Sequence, residues 1–241
     1  MKSTTVKPTV GRKSGPARGV RLIAGLGAMV AWGALLAAPA QAEAVPGETA
    51  ATVSVPLRQA VADLPVADED RTGYSRSAFR HWVDEDGDGC NTRAEVLVEE
   101  AVTPPDVGDG CRISGGEWDS YYDGQRVGNA SGLDIDHVVP LAEAWDSGAS
   151  EWRAERRMRY ANDLGDARAL VAVTARQNRS KADKDPAEWL PALSDAHCRY
   201  VTEWTAVKLR WGLTVDTRER EALTSLAAGC PDETLTVEQA P

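Results

Sequence analysis

Alternation of apolar and polar residues marks one short segment in the middle of the chain. Apolar residues at 133 and 135 alternate with Asp134 and Asp136, the period of a half-buried strand with both carboxylates on one face. His137 follows directly, and Pro140, which cannot donate a ladder hydrogen bond, is placed to end the strand. Because two carboxylates on a buried strand are costly unless a cation compensates them, this segment is predicted to be a functional site.

Neighbouring segments have the patterns of a second strand and two helices. Residues 169–173 form a short apolar run typical of a buried strand, and residues 174–182 fit the start of a helix that carries Asn178 and Lys181. A helix is also predicted for residues 150–162, where Asn162 is a natural terminating residue. An Asp-Gly pair at 123–124 predicts a hairpin over residues 117–127. The acidic strand is therefore followed by a strand and then a helix.

The first 42 residues have the composition of a secretory signal peptide. Six basic residues precede an apolar segment at 22–38, and Ala40-Gln41-Ala42 is a small-x-small cleavage site. The alternative is an uncleaved anchor, because an apolar segment of this length is at the lower limit for spanning a bilayer. We expect a secreted, extracellular protein without stable membrane association, with a surface arm at 43–70 and a single domain at 71–241.

The C-terminal third is predicted to be a helical hairpin that also fixes the disulfides. Apolar and aromatic residues at 200, 204, 207 and 211 recur at helical spacing, as in a core-facing helix, and Asp216 can cap a second helix. Four cysteines in an exported chain imply two disulfides, with three connectivities. Antiparallel helices over residues 198–230 would place Cys198 beside Cys230, which favours that pairing and leaves Cys90 for Cys111.

The charge of the chain is distributed unevenly. Without the leader the chain carries 21 Lys and Arg against 37 Asp and Glu, a net charge of −16, so its overall field does not favour nucleic acid. Residues 151–184 nevertheless hold nine basic and five acidic side chains. This run is either a solvated helix face or a phosphate-binding surface, and Arg168, Arg179 and Lys181 are the phosphate-contact candidates on position alone.

An acidic loop precedes a helix predicted to begin at residue 92. Asp84, Asp86, Asp88 and Glu95 occupy positions 1, 3, 5 and 12 of the calcium-loop pattern, with a glycine at position 6 for the sharp turn. Two features argue against a Ca²⁺ site. Cys90 at position 7 is a candidate for a disulfide, and Arg93 adds positive charge beside the loop. A solvated acidic turn is the alternative.

Three motifs in chain order resemble those of the HNH, or ββα-metal, nucleases. They are Asp136-His137 with Pro140 three positions later, a middle Asn162, and the Asn-Arg-Ser-Lys string that begins at Asn178. The region from about residue 74 to 230 is similar to a secreted bacterial HNH endonuclease family. The resemblance implies an α+β fold with a ββα-metal core at about residues 131–184, surrounded by helices. Asn178 stands where many members have a histidine, which leaves the metal preference open.

The resemblance also implies a function. His137 would be the general base that activates water, and Asp136 and Asn178 would hold one Mg²⁺ or Mn²⁺. Asn162 would hold the loop that carries the histidine. We expect a monomeric endonuclease that cleaves DNA, with RNA as a second candidate, and with little sequence preference. Two alternatives stay open: an inactive, calcium-stabilised binding module, and an exported toxin that requires an immunity protein.

Overall fold

The structure, a computed structural model, describes residues 51–241, and the predicted signal peptide at 1–42 lies outside the described residues. The described part mixes helices with short antiparallel strand pairs. Its helices are α1 (Leu57–Asp63), α2 (Thr92–Glu99), α3 (Leu141–Asp146), α4 (Ala154–Ala161), α5 (Ala175–Lys181), α6 (His197–Trp211) and α7 (Thr217–Ala228). Its strands are β1 (Thr52–Pro56), β2 (Asp106–Gly108), β3 (Arg112–Ser114), β4 (Trp118–Ser120), β5 (Gln125–Val127), β6 (Leu133–His137), β7 (Leu170–Thr174) and β8 (Thr234–Glu238).

Strands β6 and β7 form an antiparallel pair from which the candidate site is built. In this pair Asp136 lies opposite Val171 and His137 opposite Leu170. The first four residues of β7 are apolar and all buried, so this part of the strand shows no alternation. Helix α5 begins directly after β7 and packs against β6. The predicted order of strand, strand and helix is present, together with the predicted hairpin, which is β4 paired with β5.

Helices α6 and α7 form the expected hairpin, and both predicted disulfides are confirmed. Cys198 at the start of α6 is bonded to Cys230 just after α7, with their Cα atoms 5.4 Å apart. Cys90 is bonded to Cys111 at a Cα separation of 5.0 Å. The aromatic stripe of α6 is buried, as predicted for a core-facing helix. None of the helices within residues 51–241 is both long and apolar enough to cross a membrane.

The start of the described chain corrects one prediction. Strand β1 pairs antiparallel with β8, and the side chains of Leu57, Val61 and Leu64 are each no more than 2 % exposed. Residues 52–64 are therefore part of the folded domain and contribute side chains to its core, and the predicted surface arm at 43–70 is wrong for this stretch. The sequence does contain the pattern of a core-facing helix here, because apolar residues at 57, 60, 61 and 64 recur at helical spacing.

Candidate active site

Three residues singled out in the sequence line one cleft. Asp136 and His137 from β6 and Asn178 from α5 border a space of about 210 Å³. Adjacent residues of a regular strand point to opposite faces, but β6 ends at His137, and both Asp136 and His137 line the cleft. Three larger grooves, of about 310, 440 and 660 Å³, lie elsewhere on the described surface and contain none of these three residues. Chemistry, not size, identifies the smaller cleft as the candidate site.

His137 is held in one orientation by a hydrogen bond and two aromatic rings. Its Nε2 lies 3.0 Å from the carbonyl oxygen of Ala161, which can only accept a proton, so Nε2 carries the hydrogen. The ring stacks on Trp82, with centroids 5.5 Å apart, and lies 6.4 Å from the ring of Tyr160 on a nearly parallel plane. No hydrogen bond among the described residues engages Nδ1. Burial lowers the pKa of His137 to about 3, so the imidazole is neutral at neutral pH.

Trp82 belongs to the site, although no motif indicates it. Its backbone has a φ of 58°, the left-handed region that a bulky residue rarely adopts. Such a conformation costs on the order of 1–3 kcal/mol and persists where surrounding contacts impose it. Here the indole stacks on His137. The segment before the calcium-like loop therefore contributes one wall of the base's pocket.

Asn162 secures the backbone on either side of Trp82. Its amide nitrogen donates to the carbonyl oxygens of Arg80 and Met158 at 2.8 and 2.7 Å. Its amide oxygen accepts from the backbone N–H of Val83 and the hydroxyl of Thr92 at 3.0 and 2.9 Å. The predicted contact was with the loop that carries the histidine. In the structure, Asn162 instead hydrogen-bonds to the segment at 80–83. Asn162 directly follows Ala161, whose carbonyl accepts the hydrogen bond from His137.

Asp136 is buried and has one oxygen fully occupied. Its Oδ2 accepts from the hydroxyl of Tyr122 and from the ammonium of Lys181, each at 2.7 Å. Burial raises the pKa of Asp136, while the Lys181 charge and the two hydrogen bonds oppose that rise. Lys181 also donates to the backbone carbonyl of His137 at 2.9 Å, so one amine fixes both residues of the motif. No hydrogen bond among the described residues engages Oδ1 of Asp136.

Two of the predicted phosphate contacts are corrected. Lys181 is fully buried and its amine is committed to Asp136 and to a backbone carbonyl, so it is not a surface contact. The Arg168 guanidinium is bonded to Asp166 at 2.6 Å and to a β8 carbonyl, and it lines a groove away from the cleft. Both side chains therefore have structural roles: Lys181 through a partner on another element, and Arg168 through the nearby Asp166 and a distant backbone carbonyl.

Two further arginines of the basic run at 151–184 are held by structural contacts. The guanidinium of Arg157 donates to backbone carbonyls of the 149–152 turn, and that of Arg156 stacks over Trp152. Arg179 differs, because its side chain is 75 % exposed and lines the cleft. Its contact within the described residues is an ion pair with Asp134 at 3.4 Å. A phosphate-binding role therefore stays a prediction for Arg179.

Asn178 faces the cleft with its amide oxygen free. Its Nδ2 donates to Asp134 at 3.2 Å, which turns the carbonyl oxygen away from that carboxylate. No hydrogen bond among the described residues engages this oxygen. Asp134 thus holds the side chains of Asn178 and Arg179. Among the described residues of the cleft, Oδ1 of Asp136 and the amide oxygen of Asn178 are two oxygen atoms without a hydrogen-bond partner.

The acidic loop has converging carboxylates. Asp84, Asp86 and Asp88 each offer an oxygen, and these oxygens lie within 4.8 Å of one another. The same side chains accept backbone hydrogen bonds within the loop, as from Gly87 to Asp84 at 2.8 Å. Burial, followed by the charges of the neighbouring acids, raises the pKa of Glu95, the predicted fourth ligand, but Glu95 is not among the residues whose oxygens converge. Because exposed acidic groups of this kind are common without an ion, calcium binding stays a prediction.

Comparison with known proteins supports a nuclease-related family. Residues 105–226 match the model of the GmrSD restriction endonuclease C-terminal domain. The chain is 39 % identical over 196 residues to an uncharacterized secreted protein of the fungus Arthroderma benhamiae, covering 81 % of this chain and 94 % of that protein. No solved structure matches the chain.

The secreted relative and the two disulfides fit an extracellular protein. The matched segment includes β6, β7 and α5, and hence Asp136, His137 and Asn178. The chain belongs to the GmrSD restriction endonuclease C-terminal domain family.

Proposed function

We propose that the protein is a secreted, metal-dependent endonuclease of the HNH type that hydrolyses phosphodiester bonds of DNA. The observation that carries the proposal is the convergence of Asp136, His137 and Asn178 in one cleft, in a chain of a restriction-endonuclease family. RNA is a second candidate substrate, because both polymers present the same phosphodiester to the cleft.

His137 is assigned as the general base. Because Nε2–H donates to the Ala161 carbonyl, the lone pair of the neutral ring is on Nδ1, the nitrogen without a partner among the described residues. The low pKa of the buried imidazole keeps it unprotonated but makes it a weak base. A phosphate anion beside it would raise that pKa, since a nearby negative charge favours the imidazolium. Substrate binding would thereby bring the base closer to its working range.

The donor set fits a hard divalent cation. Asp136 offers Oδ1 and Asn178 its amide oxygen, and neither atom has a hydrogen-bond partner among the described residues, while Mg²⁺ and Mn²⁺ prefer such oxygens. Both side chains are held by their other atoms, through Lys181, Tyr122 and Asp134. When bound, the ion would supply positive charge beside the phosphate and polarise its phosphorus–oxygen bonds.

The reaction itself is a hydrolysis. The bond that forms joins the water oxygen to phosphorus, and the bond that breaks joins phosphorus to one ester oxygen. The water proton passes to Nδ1 of His137, and the leaving alkoxide takes a proton from solvent. The Trp82 and Tyr160 rings hold the imidazole plane, so the base needs little reorganisation during the step.

The test is cleavage of supercoiled plasmid by purified mature protein across Mg²⁺, Mn²⁺ and Ca²⁺, with a chelator control. His137→Ala is expected to abolish cleavage. His197→Ala is the matched control, because its Nε2 is bonded to the Pro191 carbonyl and it does not line the cleft. Unchanged cleavage by His137→Ala would refute the assignment of the base.

The same assay separates the proposal from the inactive binding module. A calcium-stabilised module would leave plasmid and RNA intact with every metal, whereas the proposed enzyme cleaves and is stopped by the chelator. Cleavage by the wild type with each ion therefore separates the enzyme from the binding module, and the comparison with His137→Ala then tests the assignment of the base.

A further inference from the structure

One positively charged side chain that lines the cleft has no ionic partner among the described residues. The charged side chains that line the cleft are Arg76, Asp136, Arg179 and Asp183. The last three have oppositely charged partners at 2.7, 3.4 and 3.7 Å respectively. Among the described residues, the guanidinium of Arg76 has neither an ion pair nor a hydrogen bond. Arginine is the residue best suited to phosphate, because its planar fork offers two parallel N–H groups to two oxygens.

The backbone of Arg76 is anchored although its side chain is free. Arg76 opens a short 3-10 helix (Arg76–Ala78), and its carbonyl accepts from the N–H of Phe79 at 3.1 Å. Phe79 is fully buried and packs edge-on against Tyr160, the ring that lies beside His137. The position of Arg76 relative to the base is therefore set by core packing.

We propose that Arg76 is a catalytic residue that contacts the phosphate under attack and stabilises the negative charge that develops on its non-bridging oxygens. The inference rests on the proposed nuclease function. Arg76 transfers no proton in this role; its N–H groups donate to oxygens whose charge grows as the water oxygen approaches phosphorus. A guanidinium without a competing carboxylate can serve there without first breaking an ion pair.

This assignment places a reacting group outside the family segment. The family match covers residues 105–226, whereas Arg76 and Trp82 precede it. The matched segment would thus supply the base and the metal ligands, and the upstream segment supplies a cation that lines the cleft and the indole that stacks on His137.

The test compares Arg76→Ala and Arg76→Lys with Arg80→Ala. Arg80 is the matched control, because it is exposed in the same segment, loses the same charge and does not line the cleft. Plasmid and duplex-oligonucleotide cleavage give kcat and KM under single- and multiple-turnover conditions. Oligonucleotide affinity is measured separately by fluorescence anisotropy, in variants that also carry His137→Ala so that the probe is not cut.

Arg76→Ala is expected to lower kcat by about 10²-fold or more, the usual effect of removing one donor to a developing charge. Oligonucleotide affinity should fall less than tenfold, as for one phosphate contact. Arg76→Lys should recover part of kcat, and Arg80→Ala should match the wild type. Because Arg76 is exposed, thermal unfolding of the variants should also match, and Arg76→Lys supplies the result if Arg76→Ala does not fold.

Three outcomes overturn the inference in distinguishable ways. If wild type cleaves and Arg76→Ala has the kcat of Arg80→Ala, the role of Arg76 is wrong and the nuclease function stands. If affinity falls as much as kcat/KM, Arg76 binds substrate without acting in the chemical step. If wild type cleaves neither DNA nor RNA with any metal, the proposed function fails and the role of Arg76 fails with it.

Discussion

The ion pair between Asp136 and Lys181 predicts that removing either charge destabilises the protein as well as the site. The two side chains are 6 % and 0 % exposed, and their charged atoms are 2.7 Å apart. Asp136→Asn leaves a buried ammonium without a counter-charge, and Lys181→Met leaves a buried carboxylate. Loss of one partner of a buried pair costs about 3–5 kcal/mol. That is a large part of the roughly 5–15 kcal/mol that stabilises a typical domain.

The double variant provides the decisive comparison. When both changes are combined, neither charge is left alone, so the loss in free energy of unfolding should be smaller than the sum of the two single losses. Urea unfolding of the disulfide-intact protein, in chelator so that no metal contributes, measures all four species. Asp119→Asn is the control, because its pair with Arg126 is about half exposed on both sides, and the expected change is below about 1 kcal/mol.

Additivity would refute the reasoning. If each single variant loses less than about 1 kcal/mol and the losses add, the pair is not energetically coupled and Asp136 is not held in the way described. If the prediction is met, inactivity of Asp136→Asn cannot by itself assign a metal ligand. Lost cleavage would then have to be measured well below the unfolding midpoint of that variant.

Three further predictions concern stability away from the cleft. Burial, with Glu143 nearby, raises the pKa of Glu219 from 4.5 to about 8, so the stability that its proton contributes is full below pH 4.5 and is lost as pH rises through 8. Glu219→Gln should therefore flatten the fall in urea midpoint between pH 4.5 and 8; an unchanged slope contradicts this. Replacing Cys198 and Cys230 by serine opens a loop with a sequence separation of 32 and should cost about 3–4 kcal/mol, seen as a lower midpoint. Calcium at millimolar concentration should raise the Tm of wild type but not of Asp86→Asn if the 84–95 loop binds the ion; equal shifts would mean that it does not.

Local patterns predicted the elements that carry the motif. Alternation around Asp136, the apolar run of β7 and the helical start after it were enough to predict strand, strand and helix, because each signal lies within one element. The hairpin of α6 and α7 likewise fixed the Cys198–Cys230 pair, since a helical repeat and a short turn determine where its ends meet.

Side chains that meet the site from distant segments were not predictable in this way. Tyr122 and Trp82 reach Asp136 and His137 through tertiary packing, and neither has a spacing that marks it. Lys181 was a phosphate-contact candidate on position alone, with ordinary surface charge as the alternative, and both interpretations place it at the surface. Its burial depends on Asp136, which lies on another element, and a single sequence without such contacts gives no way to choose between the two outcomes.

The antiparallel pairing of β1 with β8 makes the two termini of the described fold neighbours. Thr52 lies opposite Glu238, so their backbones are about 5 Å apart, whereas the unfolded chain would separate them by tens of ångströms. A donor dye near one terminus and an acceptor near the other would therefore transfer energy efficiently only while the protein is folded. That signal would report unfolding of every variant discussed above without relying on tryptophan emission, which substitutions around His137 would themselves disturb.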